Sequence, residues 1–258
     1  MPIRVAKQDA IARVTFDRPE ARNAFTREMY RRLADVCEEL AADDTIRVAV
    51  FEGIGDDAFV SGSDIRNVGE IRGLEDALVY ERLVERAIAA VESLPKATIA
   101  LIRGVAAGGG AALALACDIR VAADNARFGV PIARTVGNTL SLRNIARLVQ
   151  AVGPAVTKEL LFTGRLATAV EAQAAGAFND VVPLERIEAH VQALADRISR
   201  NAPLTIRATK LAVLRVLESE RERLGAGDDI VGLAYGSEDF REGVTAFLEK
   251  RPPVWRGR

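Results

Sequence analysis

Apolar and polar positions change period along the first half of the chain in a way that predicts strands and helices in turn. Residues 11–16 alternate with the period of two that is typical of a half-buried strand. A helix is then predicted to open in the polar residues 23–26 and to run to about residue 42, with apolar residues at helical spacing between residues 29 and 40. Further predicted elements are strands at residues 47–51, 97–102 and 119–122, a glycine-rich turn at residues 104–110, and a short helix at residues 111–116. Strands that alternate with helices favour the α/β class.

The strand pattern stops near residue 185, and the rest of the chain has helical periodicity. Helices are predicted at residues 190–200, 204–218 and 238–250. Residues 201–203, Asn-Ala-Pro, are typical of a junction between segments. We therefore predict an α/β core over residues 1–200 and a helical region over residues 201–258.

Composition narrows the possible classes of function. The 258 residues are 49% hydrophobic and 28% charged, as in an ordinary globular protein. Because 35 basic residues balance 36 acidic ones, the bulk charge gives no reason to expect a nucleic-acid partner. The chain has a single histidine, His190, and its two cysteines, Cys37 and Cys117, lie far apart in the sequence. We therefore predict that no metal is bound.

No segment has the pattern of a membrane span or a signal peptide. The most apolar stretch, residues 97–117, contains Arg103 and four glycines, which makes it a poor span. The first residues lead into the alternating strand without a long apolar run. We expect no membrane contact and a cytoplasmic location.

Three consecutive glycines, Gly108, Gly109 and Gly110, lie between a predicted buried strand and a short apolar helix. Glycine allows a sharp turn there and a close approach of a ligand to the backbone. The first amides of a helix have no internal partners, so such a turn can donate hydrogen bonds to a developing oxyanion. A phosphate-binding P-loop would need Lys at position 110, and a dinucleotide fingerprint would need Gly in place of Leu113. A purely structural glycine turn remains an alternative.

A second segment, residues 59–65 (Phe-Val-Ser-Gly-Ser-Asp-Ile), is by itself a common kind of turn. Together with the glycine run, however, it resembles the crotonase superfamily, also called the enoyl-CoA hydratase/isomerase family. The further segments that carry the resemblance are residues 16–25, 95–118, 162–165, 171–176, 181–183 and 242–251. The resemblance covers almost the whole chain.

The resemblance implies a spiral of ββα units with a helical C-terminal trimerisation region, and hence a homotrimer or a dimer of trimers. It implies a CoA thioester as substrate and no separate cofactor, because coenzyme A is part of the substrate. The implied oxyanion-hole amides are those of Ser63 and Gly109. The implied CoA-binding positions are Arg22, Ala24, Ser61, Asp64, Ile65, Phe247 and Lys250, the last two on a C-terminal helix that reaches a neighbouring CoA site. Asp64 is expected to organise its loop rather than to take part in the chemistry.

The sequence departs from the family where the chemistry is expected. Family hydratases carry two glutamates at positions that are Ala112 and Ile132 in this chain, and no Asp or Glu occurs in residues 93–117 or 125–158. The candidate acyl-pocket residues are therefore Ala112, Ile132, Thr135, Asn138 and Thr139, and none of them is a base near neutral pH. A displaced acid could come from Glu70, Glu75 or Asp76 in the variable stretch after residue 65.

Three hypotheses remain open at this point. The first is hydratase- or isomerase-like chemistry with a displaced acid, in which ordinary hydration is weak. The second is another thioester or enolate reaction, such as hydrolysis or decarboxylation. The third is an acyl-CoA-binding or RNA-binding relative without catalysis. Fold alone does not decide among them.

Overall fold

The protein is described by a computed structural model over residues 2–221 and 225–258. Met1 of the predicted core and residues 222–224 of the predicted helical region lie outside the described residues. The strands are β1 (Ile3–Gln8), β2 (Ile11–Phe16), β3 (Val48–Gly53), β4 (Ala58–Val60), β5 (Ala97–Ile102), β6 (Val105–Ala107), β7 (Ile119–Ala123), β8 (Arg127–Gly129), β9 (Ala167–Thr168) and β10 (Asp180–Val182). The helices are α1 (Arg27–Ala42), α2 (Ile65–Val68), α3 (Leu74–Glu92), α4 (Gly109–Ala116), α5 (Ile132–Thr135), α6 (Leu142–Thr163), α7 (Ala169–Ala174), α8 (Ile187–Ser199), α9 (Pro203–Arg221), α10 (Asp228–Tyr235) and α11 (Glu238–Leu248).

The strands form two sheets. The larger has the order β1-β2-β3-β5-β7-β10, and the smaller has the order β4-β6-β8-β9. In the larger sheet only β1 runs antiparallel to its neighbour. In the smaller sheet β4, β6 and β8 are parallel and β9 is antiparallel to β8. Because parallel strands end at the same edge, the loops that follow β4 and β6 lie side by side.

Both faces of the larger sheet are covered. Every residue of β3 and β5 is buried, which explains why these strands are nearly continuous apolar runs. On one face, Val48 and Ile99 pack against Val191 of α8. On the other face a larger core includes residues of α1, α3 and α4. Helix α3 therefore packs one of its faces against this core.

The predicted α/β class is confirmed, and so is the helical C-terminal part. The predicted turn over residues 104–110 is wrong in detail, because it contains strand β6, and α4 already begins at Gly109. Gly104 and Gly108 flank β6 with φ of 60° and 55°. These left-handed conformations allow the chain to enter and leave a very short strand, and they suit glycine.

The C-terminal helices contact the core rather than standing apart from it. The Nζ of Lys210 in α9 lies 2.9 Å from Asp118 Oδ2, and Arg221 Nη1 lies 3.0 Å from Glu92 Oε1. Helix α10 packs on α3, and α11 packs on α2 and α5. No helix in the described part of the chain is long and apolar enough to cross a membrane.

Candidate active site

Two loops meet at the edge where β4 and β6 end. The first contains Gly62 and Ser63, and the second contains Gly108 and Gly109. A Cβ on Gly108 would lie 3.8 Å from the Gly62 Cα, so the two backbones are close neighbours. The φ of Gly62 is 118°, a conformation that a side chain would strain. Glycine at these positions lets the loops approach each other.

The amides of Ser63 and Gly109 have no partner within the described residues. Phe25 N donates to Gly62 O at 2.8 Å, and Asp64 N donates to Phe25 O at 2.8 Å. These two bonds hold the loop from one side, and the Ser63 N–H takes no part in them. Gly109 is the first residue of α4, where a helix supplies no acceptor. Across residues 2–221 and 225–258, neither N–H donates a hydrogen bond to another protein atom.

Tyr30 of α1 lies behind the two loops. Its hydroxyl is 2.9 Å from the Ser63 Oγ. A Cβ on Gly109 would lie only 2.5 Å from the same hydroxyl, so this position requires glycine. Burial is the main reason that the pKa of Tyr30 is raised above its usual value. Tyr30 therefore remains a neutral hydroxyl at ordinary pH.

Asp64 is held in place by its own loop. Its carboxylate accepts from the backbone N–H and the guanidinium of Arg66 and from the guanidinium of Arg18. It also caps the N-terminus of α2. The hydrogen bonds from Arg66, together with that from Arg18, lower the pKa of Asp64 to about 2. A carboxylate engaged in this way is a poor proton acceptor at neutral pH, and its contacts are those of a residue that organises the loop.

The loops open into a cavity of about 950 Å³. Most of the residues singled out from the sequence line its wall, namely Arg22, Ala24, Ser61, Ser63, Asp64, Ile65, Gly109, Ile132, Thr135, Asn138, Thr139, Phe247 and Lys250. Phe247 and Lys250 thus lie at the cavity of their own chain. Ala112, a residue of α4, does not line the cavity, because it is buried in the hydrophobic core and is only 1% exposed.

Glu81 of α3 is a functional candidate that the sequence interpretation missed. It lines the cavity and is only 8% exposed. Its Oε1 accepts a hydrogen bond of 2.6 Å from the Tyr235 hydroxyl, which in turn accepts one of 3.0 Å from the Asn138 amide. Burial raises the pKa of Glu81 to about 7, although the hydrogen bonds from Tyr235 and from the Ser141 backbone oppose the rise. A carboxyl group with this pKa can both give and take a proton near neutral pH.

The acids suggested from the sequence do not reach the cavity wall. Glu70, Glu75 and Asp76 are exposed and do not line the cavity. A signal for Glu81 was present in the sequence, since it lies on the same helical face as the apolar residues Ala77, Val84 and Ile88. A charged residue within such an apolar stripe must be buried, paired or functional.

The single histidine and the two cysteines do not line the cavity. His190 is partly exposed and its Nε2 lies 2.8 Å from Asp180 Oδ2. Cys37 and Cys117 are both buried, and burial raises the pKa of each thiol, to about 12 for Cys37. Among the residues that the structure describes, no group of three or more His, Cys, Asp or Glu side chains is placed to hold a metal ion.

The fold and the paired glycine loops are compatible with an enzyme of the crotonase type, and comparison with known proteins shows the family. A sequence model of the enoyl-CoA hydratase/isomerase family matches residues 6–258. A crotonyl-CoA hydratase of Syntrophomonas wolfei is 33% identical, with 95% of this chain and 94% of the relative covered. A 2,3-dehydroadipyl-CoA hydratase of Escherichia coli is also 33% identical, with 98% of each covered. The chain belongs to the enoyl-CoA hydratase/isomerase family.

Solved structures give the same result. An enoyl-CoA hydratase/carnithine racemase from Magnetospirillum magneticum is 34% identical, with a TM-score of 0.82, over 100% of this chain and 96% of that one. A methylmalonyl-CoA decarboxylase in complex with 2-nitronate-propionyl-CoA is 28% identical, with a TM-score of 0.90, over 100% and 99% of the two chains. The protein is therefore an enoyl-CoA hydratase/isomerase-like enzyme that binds an acyl-CoA.

Proposed function

We propose that the enzyme forms an enolate from a CoA thioester and moves a proton on it with Glu81, as an isomerase of enoyl-CoA double bonds does. One observation carries the proposal. A buried carboxyl group with a pKa of about 7 shares a cavity with the two unpaired amides of Ser63 and Gly109. The amides supply hydrogen bonds to an oxyanion, and the carboxyl supplies the proton transfer.

The steps follow from the charges. The thioester oxygen accepts hydrogen bonds from the Ser63 and Gly109 amides. Ionised Glu81 takes a proton from the carbon next to the double bond, and the electron pair of that C–H bond moves through the conjugated system onto the thioester oxygen. The two amides stabilise this charge more strongly than they stabilise the neutral carbonyl, which lowers the barrier. Protonated Glu81 then returns the proton to another carbon, so that the double bond has moved and Glu81 is ionised again.

A single acid/base group suits this reaction better than hydration. Hydration needs one group to activate water and another to deliver a proton to the α-carbon. Ile132 lines the cavity at a position where the family resemblance implies an acid. Ala112, at the second such position, is buried and does not line the cavity. We therefore propose that hydration of crotonyl-CoA is weak.

Decarboxylation is a second candidate. It is favoured by the TM-score of 0.90 to the methylmalonyl-CoA decarboxylase structure. In such a reaction the C–C bond to the carboxylate breaks, its electron pair forms the enolate, and carbon dioxide leaves. The two amides would stabilise the enolate as before, and no general base is needed for the bond-breaking step.

A panel of CoA thioesters separates the candidates. It contains a 3-enoyl-CoA, crotonyl-CoA, methylmalonyl-CoA and saturated butyryl-CoA, each tested for binding by calorimetry and for turnover. Isomerisation of the 3-enoyl-CoA that is lost in Glu81→Gln, with binding retained, supports the main proposal. Release of carbon dioxide that survives in Glu81→Gln supports decarboxylation instead. Failure of every thioester to bind contradicts both.

A further inference from the structure

Two hydroxyl groups, those of Tyr30 and Ser63, meet directly behind the paired glycine loops. Their oxygens are 2.9 Å apart, and either one can be the donor. Ser63 lines the cavity and is half-buried, whereas Tyr30 is 2% exposed and does not line the cavity. Within the described residues, Ser63 is the only hydrogen-bond partner of the Tyr30 hydroxyl.

Counting protons assigns the donor. Two hydroxyls carry two protons, and the bond between them uses only one. If Ser63 donated, the Tyr30 proton would be buried without an acceptor, which is unfavourable. If Tyr30 donates, its proton is satisfied, and the remaining proton is that of Ser63 at the cavity wall. The second arrangement is favoured because it leaves no unsatisfied proton in the protein interior.

The position of the Ser63 oxygen is suited to the same ligand atom as the two amides. The Ser63 Oγ would lie 3.7 Å from a Cβ placed on Gly109, so it is next to the Gly109 backbone. The hydroxyl and the N–H of Ser63 belong to one residue at one end of the cavity. We infer that the Ser63 hydroxyl, whose oxygen accepts the Tyr30 proton, is a third hydrogen-bond donor to the thioester oxygen. This inference rests on the proposed function, because it requires that oxygen to lie between the two loops.

A third hydroxyl, that of Tyr80, is the alternative acceptor for the Ser63 proton. Tyr80 is 2% exposed and lines the cavity. Burial raises the pKa of Tyr80 and the nearby Ser63 hydroxyl lowers it, although no hydrogen bond of standard geometry joins the two hydroxyls. A thioester oxygen therefore competes with the Tyr80 hydroxyl for the Ser63 proton. The test therefore includes Tyr80.

The test is infrared difference spectroscopy of butyryl-CoA that is isotopically labelled at the carbonyl carbon. A saturated thioester binds without being isomerised or hydrated, so its carbonyl band reports the hydrogen bonds in the site. In the wild type the band should lie at a lower frequency than in solution. Ser63→Ala should reverse part of this shift, and in a separate assay it should lower turnover of a 3-enoyl-CoA by about tenfold to a hundredfold, less than the loss of a principal donor. KM should change much less than kcat.

Two further variants distinguish the hydrogen bond donated by the Ser63 hydroxyl from changes in its contact with Tyr30. Tyr30→Phe keeps the Ser63 hydroxyl and should keep most of the band shift. Ser63→Ala combined with Tyr30→Phe removes both hydroxyls of the pair, so the Tyr30 hydroxyl is not left without its partner, and the double variant should match Ser63→Ala alone. Circular dichroism checks that each variant is folded.

Three results would overturn the inference. The first is a carbonyl band that is the same in Ser63→Ala as in the wild type. The second is a Tyr30→Phe variant that loses as much of the shift as Ser63→Ala. The third is a Tyr80→Phe variant that loses as much, which would assign the donor to Tyr80. If the wild-type band is not shifted from its frequency in solution, the proposed function itself fails, and the two failures are thus distinguishable.

Discussion

The Tyr235 hydroxyl lies 2.6 Å from the Oε1 of Glu81 and donates a hydrogen bond to it. The contact joins α10 near the end of the chain to α3 in the middle of it. Burial stabilises the neutral acid and raises its pKa, whereas a hydrogen-bond donor at this position stabilises the carboxylate and lowers the pKa. Burial has the larger effect, so the pKa of Glu81 is raised. Helix α10 therefore helps to form the cavity wall of its own chain.

The stability of the protein should depend on pH through Glu81. Its pKa is raised from 4.5 to about 7 in the folded state, so the folded protein binds this proton more tightly than the unfolded chain does. The free energy of unfolding should therefore be highest below pH 4.5 as far as Glu81 contributes, and it should fall as the pH rises through about 7. The full difference is roughly 3 kcal/mol. Urea unfolding at about pH 5 and about pH 8 should show most of this difference.

The matched variants for this experiment are Glu81→Gln and Glu75→Gln. Glutamine at position 81 cannot ionise, so most of the pH-dependent loss should disappear. Glu75 is an exposed residue of the same helix, and its replacement should leave the pH dependence as it is in the wild type. Equal pH dependence in Glu81→Gln and the wild type would contradict the assignment.

A side chain at position 109 should strongly lower the activity through a clash with Tyr30. The Cβ of Gly109→Ala would lie 2.5 Å from the Tyr30 hydroxyl, so either the loop or the buried ring must shift. Displacing the Gly109 amide should lower turnover by about 10²–10³, as the loss of an oxyanion donor does. Adding Tyr30→Phe removes the clashing oxygen and leaves the ring carbon Cζ at 3.8 Å, so it should restore much of the loss.

The control for this prediction is Gly73→Ala, because a Cβ at that position meets no atom within 4 Å. Its turnover should equal that of the wild type. A Gly109→Ala enzyme with full activity, or no recovery in the double variant, would show that the loop geometry is set in some other way.

Restoring an acid should affect the two family positions differently. Ile132 lines the cavity at the start of α5, where a carboxylate is compatible with the helix N-terminus. Ile132→Glu should therefore raise crotonyl-CoA hydration, which is expected to be weak in the wild type, by tenfold or more. Ala112 is packed in the core, so Ala112→Glu should lower the free energy of unfolding by about 2 kcal/mol or more without a gain in activity. Rapid hydration by the wild type would contradict this account.

We predict a homotrimer or a dimer of trimers. Ile206, Leu211, Leu214 and Leu217 recur at helical spacing along α9 and form an apolar stripe. The structure places Ile206, Leu214 and Leu217 along an open cleft between α9 and the core, where each is half-buried. Leu204 and Leu211 remain 76% and 47% exposed, which favours cover by a neighbouring subunit. Light scattering should show the oligomer, and Leu204→Glu with Leu211→Glu should weaken it, whereas a stable wild-type monomer at micromolar concentration would refute the prediction.

The sequence predicted those parts of the fold that depend on local pattern. Strand β5 is apolar at every position, and helix α1 has a clear apolar face, so both were found close to their observed ends. Helix α6 was missed because it bends at Gly153, whose φ is 75°, and Pro154 follows at once. Strand β1 was missed because most of its residues are exposed, which weakens the alternation.

The site was only partly predictable for a related reason. The two loops lie at family spacing in the sequence, so Ser63 and Gly109 could be named in advance. The role of Glu81 depends on Tyr235, which is 154 residues away, and no local pattern indicates that contact. The burial that raises the pKa of Glu81 arises only when α3 packs against other elements of the folded chain, α10 among them.

The central claim is that Glu81 moves a proton at a thioester enolate, and the most direct measurement is hydrogen exchange at the α-carbon of butyryl-CoA in deuterium oxide. This saturated thioester can be neither isomerised nor hydrated, so the exchange reports proton removal alone. The wild type should exchange the α-hydrogens at a rate that rises with pH and levels off above about 7, where Glu81 is ionised. Glu81→Gln should bind butyryl-CoA equally well but exchange about 10²–10⁴ times more slowly. Exchange at the wild-type rate in Glu81→Gln, or no exchange by a wild type that binds the thioester, would contradict the claim.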